Sequence, residues 1–278
     1  MTNWTVEEPR RFTLDDPVTE LDVRLISGRL NVVATEGPAR VDITQAGGER
    51  RPIHVEHRDG RLTIAQDRKF RWSQVLRWAG PLARWPRVDV SVAVPAQVSA
   101  TLNLIDGSLV ASGLRGRTRA DVTSGQITLM GLRGTTAAKI VSGPVEALGV
   151  AGELILETVS GEVILADSAP GQVRAHTVSG PITCDFDNPR RSEIRLSTIS
   201  GSITVRVRED SDLAVRLHTA SGRITSGFPQ VLASRGLAAV RDSEGVLGAG
   251  EGKLWASATS GSIALLARPV DDDQEELP

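Results

Sequence analysis

The chain has 278 residues, and its 32 basic and 34 acidic residues leave a formal net charge of −2. This near-neutral balance gives no overall attraction to polyanions, so nucleic acid is not an expected partner. The single cysteine, Cys184, excludes an intramolecular disulfide framework. With 40% apolar but only 3% aromatic residues, the chain is expected to have a mostly aliphatic core.

The N-terminal residues lack the features of a secretory signal. Acidic residues and a proline occupy the positions where a signal peptide would carry a basic start and an apolar run of about 7–15 residues. No later stretch reaches the roughly 18–20 apolar residues of a membrane-spanning helix. We therefore expect a cytoplasmic protein, with peripheral membrane association as the alternative.

Residues 1–66 contain short apolar runs separated by Gly, Pro and Asp. The runs at residues 21–26 and 41–44 alternate apolar and polar side chains, which is typical of strands. Ser27-Gly28 also resembles a first, isolated copy of the repeat that occupies the rest of the chain. We predict that this region is an N-terminal β cap or a set of irregular first coils.

Residues 67–87 form a basic segment in which positions 68–87 hold six basic residues, three of the five tryptophans and no acid. Tryptophan favours membrane interfaces and arginine pairs with phosphates, so this loop or short helix could contact an anionic membrane or another partner. Alternatively, its tryptophans cover an open end of the β structure. The candidate contact residues are Trp72, Arg77, Trp78, Arg84 and Trp85.

From residue 88 to 268 a Ser-Gly pair followed by alternating apolar residues recurs along the chain. The glycines from Gly125 to Gly222 are spaced by 18, 18, 19, 21 and 21 residues, and the next step, to Gly261, is 39 residues. The position two residues after each glycine is apolar and mostly β-branched, and the alternation indicates strands. Each repeat therefore contains two short strands and two turns.

One repeat is too short to bury its own apolar face, so the repeats must stack. We expect each strand to pair with its counterpart one repeat later. This predicts an all-β fold, a single-stranded parallel β-solenoid (β-helix) with coils of 18–21 residues. Right-handed coiling is expected by default.

Two parts of the C-terminal half depart from the repeat. Residues 227–252 interrupt it with turn-rich ends, which suggests a projecting hairpin or loop as an insertion. Residues 269–278 contain a run of acidic residues and are predicted to be a disordered tail that keeps the terminus solvated.

No pattern of catalytic, cofactor-binding or metal-binding residues is found. The sequence has no G-x-S-x-G nucleophile elbow, and the run GAGEGKL has Leu254 where a phosphate-binding loop needs Ser or Thr. Cys184 falls in a column of apolar residues and is predicted to lie in the core. His176 and His218 are two repeats apart, too far to share a metal without other ligands. We therefore expect no enzyme activity, cofactor or metal.

The Ser-Gly-x-Ile repeats, preceded by the run VDVSVAVP from Val88, resemble a bacterial domain-of-unknown-function family named as "putative adhesin" with β-strand repeats. The resemblance covers residues 20–268 and implies an all-strand repeat fold. The family name implies adhesion at a cell surface. The resemblance supplies no catalytic residues.

Three functions fit these observations. The leading hypothesis is a non-catalytic β-solenoid that binds a protein partner or acts as a scaffold, because solenoid faces provide extended binding surfaces. A second is a peripheral membrane or cell-surface adhesion protein that acts through residues 67–87. A third is a polysaccharide-active enzyme, since parallel β-helices host such chemistry, although this rests on fold analogy alone.

Overall fold

The computed structural model describes residues 2–46, 52–66, 86–187, 189, 191–233 and 241–270. Within these ranges every regular element is a strand, and there is no helix long and apolar enough to span a membrane. The all-β repeat fold predicted from the sequence is confirmed. The chain divides into two compact units, residues 1–143 and 144–278.

The first unit contains the strands up to the Ser-Gly pair at 142–143. They are β1 (Thr2–Val6), β2 (Arg10–Leu14), β3 (Glu20–Thr35), β4 (Ala39–Gln45), β5 (Ile53–Arg58), β6 (Arg61–Ala65), β7 (Val88–Pro95), β8 (Ser99–Ser112), β9 (Thr118–Met130) and β10 (Thr135–Ser142). Several are long because they continue through the glycine corner of a coil, which is Asp106-Gly107 in β8 and Ser124-Gly125 in β9.

Two ladders of paired strands run through the first unit. One is formed by the residues that precede the corner glycine of each coil, and the other by the residues that follow it. Before the corner, β6, β3, β8, β9 and β10 pair in parallel in that order. After the corner, β7, β3, β8 and β9 pair in parallel. Antiparallel strands cover the outer sides: β5 and β1 on β6, and β4 and β2 on β7. The region predicted as a cap or irregular coils therefore contains both kinds of pairing.

The second unit contains the remaining strands. They are β11 (Val145–Leu148), β12 (Ala151–Ser160), β13 (Val163–Ser179), β14 (Ile182–Phe186), β15 (Glu193–Ser200), β16 (Ile203–Arg208), β17 (Leu213–Ser221), β18 (Ile224–Ser226), β19 (Leu232–Ala233), β20 (Arg241–Leu247), β21 (Gly252–Ser260) and β22 (Ile263–Arg268).

The coils of the second unit do not stack in chain order. Before the corner the parallel order is β12, β13, β15, β21 and β17, and after the corner it is β11, β13, β14, β16, β22 and β18. The last repeat therefore lies between the two repeats that precede it. The expectation that each strand pairs with its counterpart one repeat later is wrong at this point, because β21 pairs with both β15 and β17 and so separates them.

The described residues of the predicted insertion, 227–233 and 241–252, contribute strands at the edge of the sheet. β20 pairs antiparallel with β17, from Leu213 opposite Leu247 to Thr219 opposite Arg241, and β19 pairs antiparallel with β20. This pairing covers the edge of β17, which would otherwise expose unpaired backbone groups. Residues 234–240 lie outside the described residues.

Strand alternation places every second side chain in the core. In β14, Ile182, Cys184 and Phe186 are buried, and Cys184 pairs in register with Leu165 and Val205, which are buried too. The prediction that Cys184 is a core residue is confirmed. Burial raises the pKa of its thiol to about 12.

Candidate functional site

The segment singled out from the sequence lies almost entirely outside the described part of the chain. Residues 67–85 contain all of its candidate contact residues, namely Trp72, Arg77, Trp78, Arg84 and Trp85. The predicted acidic tail falls outside as well from residue 271 onward. Contact through the tryptophan and arginine segment therefore stays a prediction.

The described residues contain another exposed surface, on the second unit. It is formed by four adjacent strands, β15, β21, β17 and β20, whose alternate residues are buried and whose intervening residues point outward. The strand registers align the outward side chains into three rows of four. We call this surface the Trp255 face after the residue in its central row.

The central row combines an exposed indole with two arginines. In strand order it consists of Arg195, Trp255, Arg216 and Glu244. Trp255 remains 46% exposed, although the guanidinium carbon of Arg195 lies 5.0 Å from the centre of its ring. This cation–π contact holds the indole toward β15. Arg216 pairs with Glu244, with 3.3 Å between Nε and a carboxylate oxygen.

The row nearer the Ser-Gly corner is polar. It consists of Ser197, Ser257, His218 and Asp242. Nδ1 of His218 lies 2.6 Å from a carboxylate oxygen of Asp242, and both side chains are about half exposed. This contact joins β17 to the edge strand β20. The row thus offers hydroxyl, imidazole and carboxylate groups within reach of a ligand.

The third row is mixed. It consists of Glu193, Lys253, Ala214 and Val246. Glu193 forms an ion pair with Arg195 of the central row at 2.5 Å, and Val246 is 56% exposed. The small side chain of Ala214 leaves a low point between Lys253 and Val246. This row therefore places two charged side chains beside two apolar ones.

Two shallow depressions lie on either side of the central row. One has a volume of about 610 Å³ and lies between the central and the mixed row, and the other has about 420 Å³ and lies between the central and the polar row. Trp255, Arg195, Arg216 and Glu244 line both of them. The central row is thus the ridge between the two depressions.

The position of β20 depends on a glycine with no room for a side chain. A Cβ atom on Gly245 would lie 2.4 Å from the carbonyl oxygen of Gln230 and 2.7 Å from Cα of Val231. The absence of a side chain lets the segment before β19 pack closely behind β20. This packing holds Glu244 and Val246 on the outward side.

Sequence reasoning missed the Trp255 face, although one signal was available. Trp255 lies six residues before its corner glycine, and the same column holds Arg174, Arg195 and Arg216 in other repeats. A tryptophan at an outward position of a predicted strand could have been named as a candidate contact residue. Its place between Arg195 and Arg216, however, depends on the insertion of β21 between β15 and β17.

The two histidines considered from the sequence have separate surroundings. Nδ1 of His176 lies 2.8 Å from the hydroxyl of Ser197, whereas His218 faces Asp242. Among the described residues, no group of three or more His, Cys, Asp or Glu side chains could hold a metal ion.

Stacked two-stranded coils with glycine corners define the chain as a β-repeat protein. The chain belongs to the Toastrack DUF4097 family, whose model matches residues 18–266. The resemblance stated from the Ser-Gly repeats is thereby confirmed. No curated protein matches the sequence.

Two solved structures are similar to this chain. One is described as "a putative adhesin" from Bacteroides fragilis NCTC 9343, with 11% identity, coverage of 95% of this chain and 97% of that chain, and a TM-score of 0.43. The other is described as "a putative cell adhesion protein" from Clostridium sporogenes ATCC 15579. It has 11% identity, coverage of 94% and 100%, and a TM-score of 0.25.

Proposed function

We propose that this protein is a non-catalytic binding protein and that the Trp255 face is its contact surface. The observation that carries the proposal is the half-exposed Trp255 in the centre of a four-strand face lined with hydrogen-bonding groups. Exposed aromatic side chains surrounded by polar groups are the usual anchors of binding surfaces. The parallel ladders provide a rigid base, which keeps the entropy cost of ordering these side chains low.

The pairing of the acidic groups supports a binding role over catalysis. Glu193 contacts Arg195, Glu244 contacts Arg216, and Asp242 contacts His218. A glycosidase needs two carboxyl groups flanking the scissile bond, one of them a proton donor. Here each carboxylate of the face is already occupied by a basic side chain.

Other expectations from the sequence stay predictions at this point. They are a protein as the partner, a cytoplasmic location, right-handed coiling, and membrane or surface adhesion through residues 67–87. The right-handed sense follows from the general preference of parallel crossover connections.

The proposal can be tested by photo-crosslinking in the native host. A photoreactive amino acid replaces Ser257 in the polar row, and in a matched control it replaces Thr204, which is on β16 of the other ladder. We expect a defined crosslinked product from position 257 that is absent from position 204 and is lost when Trp255→Ala is added. Products that form equally at both positions, or that survive the loss of Trp255, would contradict the proposal.

A further inference from the structure

We infer that the ligand of the Trp255 face is a neutral oligosaccharide. This inference rests on the proposed function and specifies the chemical class of the ligand at the same surface. Four properties of the face lead to it: balanced charge, an aromatic surface next to paired donors and acceptors, room for several rings, and three inner strands whose backbone is paired on both sides.

The charge of the face is balanced within the three rows. The basic groups Arg195, Arg216 and Lys253 match the carboxylates of Glu193, Asp242 and Glu244 in number. Ion pairs between neighbours leave no concentrated field of either sign. Polyanions such as nucleic acids or anionic polysaccharides bind through an excess of positive charge, which this face lacks.

The chemistry of the face matches that of a sugar ring. A pyranose has an apolar C–H surface and a rim of hydroxyl groups that both donate and accept hydrogen bonds. Trp255 provides a flat apolar surface, and Arg216, Glu244 and Ser257 provide donors and acceptors beside it. Ion-paired guanidinium and carboxylate groups are held in place, so they can bind hydroxyl groups with little further ordering.

The shape of the face suits a chain of rings. The four strands are spaced about 4.8 Å apart, so each row is about 14 Å long. This length is enough for several sugar rings along the ridge. The depressions on the two sides have volumes of about 610 and 420 Å³. An oligomer can therefore lie across the strands with one ring against Trp255.

The same surface is poorly suited to an extended peptide. Peptides that add to sheets do so through unpaired backbone groups at an edge strand. In this face β21 pairs on both sides with β15 and β17, and β17 also pairs with β20. Over β21 and β17 only side chains are available to a ligand, and this favours a ligand recognised through its own hydroxyl groups.

The inference is tested by titration calorimetry of the full chain with neutral hexasaccharides. The probes are cellohexaose, maltohexaose, mannohexaose and chitohexaose, with hexagalacturonate as the anionic comparison. We expect at least one neutral probe to bind with a dissociation constant on the order of 1 mM or tighter. Raising the salt concentration should leave this affinity unchanged, because no net charge is neutralised.

Substitutions connect the binding to the face. Trp255→Ala should weaken binding at least about tenfold, and Trp255→Phe should retain part of the affinity because a flat ring remains. Leu266→Ala serves as the matched control, since Leu266 is 43% exposed on the other ladder. It should bind as the unmodified chain does. Because Trp255 points outward, thermal unfolding should show that the variants stay folded.

Each outcome has a defined meaning. If no neutral hexasaccharide binds while the Trp255-dependent crosslink at position 257 persists, the ligand class is wrong and the proposed function stands. Tighter, salt-sensitive binding of hexagalacturonate would also overturn the neutral ligand. Binding that Trp255→Ala does not weaken would place the saccharide elsewhere and overturn the inference. If the crosslink fails as well, the proposed function itself is wrong.

Discussion

At the scale of single residues, the corner glycines are the positions where the fold accepts no substitute. Gly125 has a φ of 130°, a backbone conformation that residues with a side chain rarely adopt. A Cβ atom there would lie 1.8 Å from the carbonyl oxygen of Gly107 in the adjacent coil. The parallel ladder fixes that oxygen in position, so the clash can be relieved only by separating the strands. This explains why a glycine recurs at each corner in the sequence.

We therefore expect Gly125→Ala to lower the free energy of unfolding by at least about 3 kcal/mol. Gly131→Ala is the matched control, because Gly131 also has a positive φ of 61° but has no atom within 4 Å of its hypothetical Cβ. That variant should lose only about 1–2 kcal/mol, the cost of the left-handed backbone. Urea unfolding of both variants measures the difference. Equal losses would show that the close approach of the coils is not what requires glycine.

A second prediction concerns the buried thiol of Cys184, whose pKa is raised from 9.0 to about 12 by burial. Below about pH 9 the thiol is neutral in both the folded and the unfolded chain and has no effect on the pH dependence. Above that pH the unfolded thiol ionises and the folded one does not. Stability should therefore fall by about 1.4 kcal/mol per pH unit until the folded pKa is reached.

The measurement is the free energy of unfolding in urea at about pH 8 and about pH 10, where the loss due to Cys184 should be about 1.4 kcal/mol. Cys184→Val removes the ionisable group and is compatible with the core, since Val205 occupies the equivalent position in the next coil. The chain has no tyrosine, so no phenol titrates in this range. An identical pH dependence in the variant would show that the thiol is not held neutral.

At the scale of strands, the main feature is the insertion of β21 and β22 between repeats that precede them in the chain. Leu254 pairs with Ile194 on one side and Val215 on the other, and Ile263 pairs with Ile203 and Ile224. Without β21 and β22, β15 and β17 would have no shared partner. The last repeat therefore holds together the coils before it.

A chain that ends at Gly250 tests this dependence. It lacks the buried Leu254, Ile263 and Leu265, each of which contributes about 1.5–3 kcal/mol by burial. Their combined loss is comparable with the whole stability of a domain, about 5–15 kcal/mol. We expect the second unit to lose cooperative unfolding, as followed by circular dichroism. A chain that ends at Val270 keeps all described strands and should unfold as the full chain does.

The opposite result would also be informative. If the chain ending at Gly250 unfolds with an unchanged midpoint, β17 must close directly onto β15 in the order of the sequence. The inserted repeat would then be dispensable for the fold. Hydrogen exchange at Arg195 and Arg216 would detect the new pairing.

Some features of the strands depend only on residues that are adjacent in the sequence. Alternating burial and the Ser-Gly corner follow from a few adjacent residues, so β8, β9 and β14 to β16 could be predicted from them. The order of the coils is not local, because every repeat presents a similar row of apolar residues and can pair in register with any other. The position of Trp255 between two arginines depends on that order, and for this reason the candidate face could not be predicted.

At the scale of the whole molecule, charge is balanced by pairing between neighbouring strands. Arg61 contacts Glu20 at 2.6 Å, Arg29 contacts Asp89 at 2.6 Å, and Arg11 contacts Asp42. Such exposed pairs contribute little to stability, about 0–1 kcal/mol each. Their effect is on the surface potential, because each pair places opposite charges side by side on neighbouring strands of the described part of the chain. The 32 basic and 34 acidic residues also nearly cancel over the chain.

This balance predicts that the full chain does not bind duplex DNA or heparin at physiological ionic strength, which fluorescence anisotropy can measure. Binding with a steep salt dependence would contradict the prediction, because each neutralised phosphate steepens the slope of log affinity against log salt by about 0.9. The basic segment at residues 67–87 would be the first place to look. Replacing Arg77 and Arg84 by glutamine would then weaken that binding and flatten its salt dependence if the segment causes it, whereas Trp255→Ala would leave it unchanged. Salt dependence thus distinguishes the two candidate contact regions, because residues 67–87 would bind through charge and the Trp255 face through an indole among paired charges.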